Sequence, residues 1–502
     1  MTVTATAPDH SPASNRREHT LIAVRFVLVV AATVGAFWNM WLELAEDVGQ
    51  GSDIGYVFAV PALATLAAIG IALRRGPELP IYDRQTDVIV GLLGLCCTAA
   101  LLGLLVLRYP YEYEVLHLDL LAATLFLMSA SVLAFGLRPV FRYWPVWLLA
   151  LIMSIPTLYR EAVITLGGTR FADGAAMLIP AFAAGAIAAG RTRPRALAGG
   201  VIALGAGAIV LAAMTVWFPS APIIAYQLIP PIAGTYTSTT VMYFHQREWA
   251  TLRALDRPIL PPTAKRSRSA TVTILVAAGL IAFIPNPREY VQASPYFPGL
   301  RMPGTPAVAP GWKLLGEREY PWAPRYFGPR TIWARQQWQA QRGNPEWDKE
   351  SRRRRLMVDI VRADNATTID RYPEFMMYQL NEPRVSAPVH VDIGHGITAR
   401  LNTVLDDRQL LSWTWLSWRW QGPDGAQRIS LIAADNHLPD ARFPQPEPSV
   451  PRTFETFLHQ ILRGRAVELD PEADDIDIGA EHKDRDMLTT VAREIVRNGV
   501  GG

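Results

Sequence analysis

Seven side chains able to move protons or hold ions sit inside, or at the ends of, runs that are otherwise apolar: Glu43, His117, Asp119, Arg160, Glu161, Tyr226 and Gln227. Polar groups are costly in such surroundings, so each is a functional candidate. Glu43, His117, Asp119 and Glu161 are of the types that serve as general acid or base. Arg160 is the candidate to hold an anionic group through paired N–H donors. Arg160, Glu161, Asp119 and His117 thus form a candidate catalytic set, with Glu43, Tyr226 and Gln227 lining a substrate. Arg160 and Glu161 are neighbours that point about 100° apart on a helix and need not pair with each other. The competing reading makes all of them interfacial residues near helix ends, with Arg160 reaching headgroups or a nearby carboxylate.

Other residues carry weaker signals. Trp413, Trp415, Trp418 and Trp420 crowd one segment. On a strand, period two sets Trp413 and Trp415 on one face and the other pair opposite. The first pair is a candidate binding platform for a glycan or peptide; the alternative is a central strand buried on both sides. Cys96 and Cys97 are the only cysteines, which excludes a disulfide scaffold. They fall mid-way along an apolar run, where a thiolate is disfavoured, so packing is expected. His390, His395 and His437, with Asp392 and Asp435, match no metal-ligand spacing, and no metal site is expected. There is no Gly-rich phosphate loop, nucleophile elbow or HExxH, and no cofactor is expected.

The elements that must position these residues are membrane helices. The chain has 502 residues, half of them apolar and 19% charged, against about 25% in a soluble protein. Mean hydropathy is +0.13. Net charge is +3, and the basic residues of the first half punctuate loops, which argues against nucleic acid as a partner. A bilayer core needs roughly 20 apolar residues per helix. Nine segments are expected to span: about 21–44, 55–73, 88–107, 117–137, 144–166, 174–190, 196–216, 222–244 and 270–285. The sixth contains Pro180 and the ninth is short. The first is too long, and too far inside the chain, for a cleaved signal peptide.

With the N-terminus in the cytoplasm, the inside segments carry 16 Arg and Lys, and the outside loops only Arg108 and Arg170. That asymmetry matches the positive-inside bias and would collapse if a span were missed. The sequence therefore predicts a polytopic α-helical membrane protein with a C-terminal extracytoplasmic α+β domain, resident in the inner (plasma) membrane. Its parts are a cytoplasmic tail 1–20, an eight-helix bundle 21–244, a cytoplasmic basic loop 245–269 and a ninth helix 270–285. A Pro-rich linker 286–312, the outer domain 313–465 and an acidic tail 466–502 follow. Glu43, His117, Asp119, Arg160, Glu161, Tyr226 and Gln227 then share one depth, at the outer leaflet beneath that domain.

In the outer domain, 331–342 reads as a helix, and Leu356–Val361, Val389–Ile393, Ile397–Leu405, Leu410–Trp420 and Ile429–Ala433 as strands. Gly422-Pro423-Asp424-Gly425 is a turn joining the last two into a hairpin. Thr453–Arg463 and a segment near 484–498 read as helices.

Several stretches are similar to the exosortase/archaeosortase family joined to an exosortase-associated outer domain. GYVFAVPALATLAAIGIALRR (55–75) resembles that family's early Pro-containing helix with a basic end, and RPVFRYWPVWLLALIMSIP (138–156) its helix running into Ile-Pro. RYPEFMMYQLNEPRVSAPVHVDIGHGITARLN (371–402) and RQLLSWTWLSWRW (408–420) resemble the accessory domain's Pro-Glu motif, strand pair and aromatic strand. The resemblance implies a role in export, processing or assembly of surface proteins or envelope polymers. Its partners would be the lipid bilayer and an exported protein or envelope polymer. The late helices hold no cysteine, PSAPIIAYQLIPP (219–231) stands near where one belongs, and the early His-Gly is missing. No catalytic residue of the family therefore transfers, and thiol transpeptidation is expected to be lost. Two alternatives stand beside it: an envelope enzyme acting on a lipid-linked substrate, and a structural subunit of a membrane complex.

Overall fold

A computed structural model describes residues 12–73, 84–106, 113–245, 264–285, 294–448 (apart from 301, 303, 304, 365, 373, 381, 382 and 407) and 482–500. The expected helix Thr453–Arg463 and the acidic stretch after it lie outside the described residues. The chain divides into two units, Met1–Tyr290 and Val291–Gly502.

The first unit is helical. In order come α1 (Pro12–Ala36), α2 (Trp38–Gly49), a 3-10 segment Asp53–Phe58, α3 (Ala59–Leu73), α4 (Arg84–Ala100) with a π-helical end, and α5 (Tyr113–Leu116). Then follow α6 (Leu118–Phe135), α7 (Leu137–Phe141), α8 (Trp144–Met153), α9 (Pro156–Thr165), α10 (Arg170–Ala189), α11 (Arg193–Trp217), α12 (Ile223–His245) and α13 (Ala264–Ala282). Large apolar side chains stand exposed on the outside, among them Val27, Leu93, Leu104, Ile209 and Val216. Apolar surface on that scale is wet only at a high cost and is what a lipid-embedded bundle presents.

Among the described residues, five helices are long and apolar enough to cross a membrane, and seven if two bent pairs each count once. Nine spans were expected. The first is two helices meeting at 72° beside Gly35, and the fifth is α8 and α9 meeting at 70°. Pro156 opens α9; it lacks an N–H and its ring clashes with the preceding turn, which ends α8. The expected eighth and ninth spans form α12 and α13 but are not among the five. Thr235, Thr237, Ser238 and Thr239 dilute α12, and only Arg268–Ala282 of α13 is an apolar helix. Pro180, by contrast, lies inside a continuous α10 that does qualify.

Helices α10, α11 and α12 pack against one another through small residues. A Cβ at Gly234 would lie 2.3 Å from the Ala203 carbonyl oxygen, so only glycine allows that approach.

The second unit is an eight-stranded antiparallel sheet, ordered β1-β2-β3-β8-β7-β6-β4, with β5 also pairing β6. Its strands are β1 (Trp312–Glu319), β2 (Ile332–Ala340), β3 (Arg355–Ala363), β4 (Pro383–Val385), β5 (Val389–Asp392), β6 (Thr398–Asp406), β7 (Leu411–Gly422) and β8 (Gly425–Ala434). The hairpin forms where expected, with Gly422 opposite Gly425, whose φ is +123°. The 331–342 segment is strand β2, not a helix. Its Trp333 and Trp338 are an odd number of residues apart, so a strand buries one on each face, and β1 and β3 flank it. One sheet face carries Leu356, Leu401, Leu416, Trp418, Ile429 and Leu431, and is covered by the C-terminal helix α14 (Arg485–Val500) through Leu488, Val491 and Ile495. Leu300, Met302 and Ala309 join the same core, so part of the Pro-rich stretch read as linker belongs to this unit.

Candidate functional site

One end of the helical unit gathers buried polar groups. α5 is a single turn, and His117 follows it with φ +38° and ψ +51°, a left-handed conformation that costs a non-glycine residue energy. That residue joins α5 to α6 and sets the ring between two carboxylates. Nε2 lies 3.6 Å from Glu114 Oε2, and Nδ1 lies 3.5 Å from Asp119 Oδ1. The Tyr113 hydroxyl donates to Asp119 Oδ2 at 2.6 Å and has Glu43 Oε2 at 3.3 Å. Tyr113, His117 and Asp119 are all buried. Titratable groups are therefore strung from α2 through α5 to the start of α6, in order Glu43, Tyr113, Asp119, His117 and Glu114.

A second group adjoins the first through Glu114. Arg160, on α9, donates from Nη1 to the Glu114 carbonyl oxygen at 2.6 Å. Its Nε and Nη2 face Asp53 at 3.3 and 3.5 Å. Asp53 opens the 3-10 segment after Ser52, whose hydroxyl accepts from the Ile54 amide. The Asp53 carbonyl accepts from Gln227 Nε2 at 2.6 Å. The same amide donates to the Tyr159 hydroxyl at 2.9 Å, and that hydroxyl donates to Asp173 Oδ1 at 2.9 Å. Tyr159 stacks on Tyr56 with centroids 4.1 Å apart. The Tyr56 hydroxyl reaches the Met153 carbonyl at 3.0 Å, bracing the break between α8 and α9.

Of the residues singled out in the sequence, Glu43, His117 and Asp119 thus meet around Tyr113, while Arg160 and Gln227 meet around Asp53. Arg160 has its guanidinium nitrogens engaged within the protein, which makes it a positioning residue rather than an open clamp for an anion. Two others lie apart. Tyr226 turns its hydroxyl to the Met214 and Phe218 carbonyls at the end of α11. Glu161 is half-buried, and its Oε2 has no hydrogen-bond partner among the described residues. Cys96 and Cys97 are exposed on α4.

In the sheet unit, Trp413 and Trp415 are both buried and offer no open platform. The Trp413 indole donates to the Arg442 carbonyl at 2.8 Å, and Trp415 meets Tyr378 edge-on at 4.6 Å. His437 Nδ1 lies 2.9 Å from Asp348, and no group of three or more potential ligands able to hold a metal occurs among the described residues.

Asp53, Tyr113, Glu114, Tyr159 and Asp173 were not anticipated. A signal for them was present. The loops counted as poor in basic residues (45–54, 108–116 and 167–173) carry Asp47, Asp53, Glu114 and Asp173, acidic residues set beside apolar runs.

No family model, curated protein or solved structure matches this chain.

Proposed function

We propose that the protein is a nine-span plasma-membrane protein that performs acid–base chemistry at the outer-leaflet end of its bundle. Its substrate is an exported protein or an envelope polymer. His117 carries the proton, Asp119 places a negative charge beside its Nδ1, and Tyr113 ties Asp119 to Glu43. The observation that carries this reading is the strained backbone at His117, which holds an imidazole with a carboxylate facing each ring nitrogen. Strain of this kind persists where surrounding structure over-determines it, commonly at functional sites. Sixteen basic residues on one side against two on the other support the nine-span orientation, which puts this end and the sheet domain outside. No cysteine lies in the cluster, in keeping with an export role without thiol transfer.

The test replaces His117→Gln in a strain lacking the native gene, with surface proteins and envelope polymers profiled by mass spectrometry. His117→Gln is expected to reproduce the deletion profile while accumulating and unfolding like the native protein. A His117→Gln strain with the native profile refutes acid–base work at this residue. An envelope-enzyme reading with Arg160 holding a lipid headgroup is less well supported, because Arg160 is already held by Asp53 and Glu114.

A further inference from the structure

The sheet unit carries a cluster of titratable groups where the start of α14 meets the end of β8. His437 follows β8, and its Nδ1 lies 2.9 Å from Asp348 Oδ2, in the connection between β2 and β3. Asp348 also accepts from Arg352 Nε at 2.8 Å and from the Glu350 amide at 2.7 Å. These donors, Arg352 most of all, hold its carboxyl well below the usual carboxylate range. An ionised carboxylate only accepts, so the neutral ring carries its proton on Nδ1 and donates it to Asp348. That leaves Nε2 bare. It is buried, has no hydrogen-bond partner among the described residues, and lies 3.8 Å from Asp484 Oδ2.

Asp484 ties this cluster to the helix. It stands at φ +63°, and its carbonyl accepts from the Leu488 amide at 2.9 Å in the first turn of α14. Its buried carboxylate pairs with Arg354, which also donates to the Ala434 carbonyl at the end of β8, at 3.1 Å. Lys483 pairs with Asp435 and donates to its carbonyl at 3.0 Å. Arg355 donates to the Leu438 and Pro439 carbonyls beside the ring. Asp348, Asp435 and Asp484 thus each have a cation of their own while the imidazole is neutral, and Glu350, next to Arg352, is exposed. A proton on Nε2 adds a buried positive charge near Arg354. It gains no hydrogen bond, because Asp484 is out of reach and committed to Arg354. Burial, and then Arg354, outweigh the pull of Asp348 and Asp484 and hold the imidazole below its ordinary value.

We propose that His437 is an acid-released clasp for the C-terminal helix. With the ring neutral, Arg354 and Asp484 hold the start of α14 against the end of β8. With the ring protonated, the added charge reaches water only when that contact opens, and the first turn of α14 lifts from the sheet. A base depressed by the closed contact takes up its proton more readily once the contact opens. The clasp is therefore at full strength above about pH 6.5, the value of the free imidazole, and weakens as pH falls below it. Burial raises Asp484, which acts in the opposite direction. The clasp lies wholly within the sheet unit and is independent of the acid–base cluster in the helical unit.

The full chain, purified in detergent, is brought from about pH 7.5 to about pH 5.5, and backbone hydrogen exchange is followed by mass spectrometry, corrected for the intrinsic rate at each pH. Opening linked to one proton is expected to cost the amides of 488–492 about three- to tenfold in protection over that range, while the β7–β8 hairpin keeps its own. His437→Asn retains a donor for Asp348 and does not titrate, so its 488–492 amides are expected to change by less than about twofold. Unchanged or higher protection of the native helix at the lower pH overturns the proposal. A loss that persists in His437→Asn overturns it too, by assigning the proton to another group, and an equal loss in the hairpin overturns it as global unfolding. If His437→Asn fails to fold, deuterium uptake at the ring C2 carbon of His437 in the native chain decides. A titration midpoint below about 6.5 is expected there, and one at or above that value overturns the clasp.

Discussion

The pair formed by Asp53 and Arg160 offers a measurable test of how the buried polar cluster is held. Asp53→Asn leaves the backbone carbonyl that Gln227 grips and removes only the charge facing Arg160. At 3.3 Å, two unit charges attract by about 5 kcal/mol at an effective dielectric of 20, before desolvation is subtracted. Removing one partner of a buried pair costs about 3–5 kcal/mol, because the other charge stays buried and unpaired. The Nε and Nη2 contacts of 3.3 and 3.5 Å are long for hydrogen bonds, and Nη1 keeps its 2.6 Å bond to Glu114. Both facts place the loss at the lower end, about 3 kcal/mol. Arg160→Met is expected to cost a similar amount, and the double variant much less than the sum, with a coupling of about 2 kcal/mol. Equilibrium unfolding of the purified chain in mixed micelles, followed by circular dichroism, measures all four corners of the cycle. Additive losses would refute the pair as a coupled unit. Asp53→Asn should also impair function beyond its stability loss, since Arg160 holds the turn that carries His117.

The remaining expectations concern packing, pH and topology. Gly234→Ala forces a methyl to within 2.3 Å of the Ala203 carbonyl and should destabilise the chain by about 1–3 kcal/mol, read as a lower unfolding temperature. Trp338→Ala removes a fully buried indole from the sheet core and should cost about 3–5 kcal/mol, measured by denaturant unfolding. Burial alone would raise the Glu374 carboxyl, but the Arg400 and Arg428 guanidiniums outweigh it and hold it well below the usual carboxylate range. A carboxylate depressed on folding contributes fully above its unfolded value, about 4.3, and the contribution drains away as pH falls below that. Glu374→Gln should therefore lower the unfolding temperature at pH 7 and flatten its decline between about pH 5 and pH 3. A periplasmic reporter fused after Gly502 should be active and a cytosolic one silent; the reverse pattern would overturn the orientation.

The sheet unit was legible where local chemistry agreed with the tertiary outcome. The Gly422–Gly425 turn, the aromatic-rich β7 buried on both faces and the amphipathic α14 all follow from composition, period and turn residues. β2 was not legible, because Gln, Arg and Ala favour helix locally, and only its neighbours β1 and β3 show that the segment pays out as a strand. β1 escaped notice for a related reason: every residue after Trp312 is exposed, so no alternation marks it. In the helical unit, hydropathy finds apolar segments but not bends: the break at Pro156 is marked by the proline itself, whereas nothing in the local sequence marks the turn at Phe37.

The same contrast explains which half of the candidate site the sequence could point to. Glu43, His117, Asp119, Arg160 and Gln227 stand out because each interrupts or borders an apolar run. Their partners Asp53, Tyr113 and Glu114 lie in short connections, where a polar residue is ordinary and its burial invisible until the chain is folded. Yet those connections decide the roles. Without Asp53 and the Glu114 carbonyl, Arg160 would be an open cation and the natural anchor for an anionic headgroup; with them it is a brace beneath the turn that strains His117. Under the proposed function the proton-moving role falls to His117, and removing the Asp53 charge, with Arg160 Nη1 still on the Glu114 carbonyl, should loosen the imidazole rather than open an anion site. Asp53→Asn is accordingly predicted to act on function through His117. Its functional deficit should vanish in a His117→Gln background, where no imidazole remains to be misplaced. A further loss in that background would return Arg160 to the substrate.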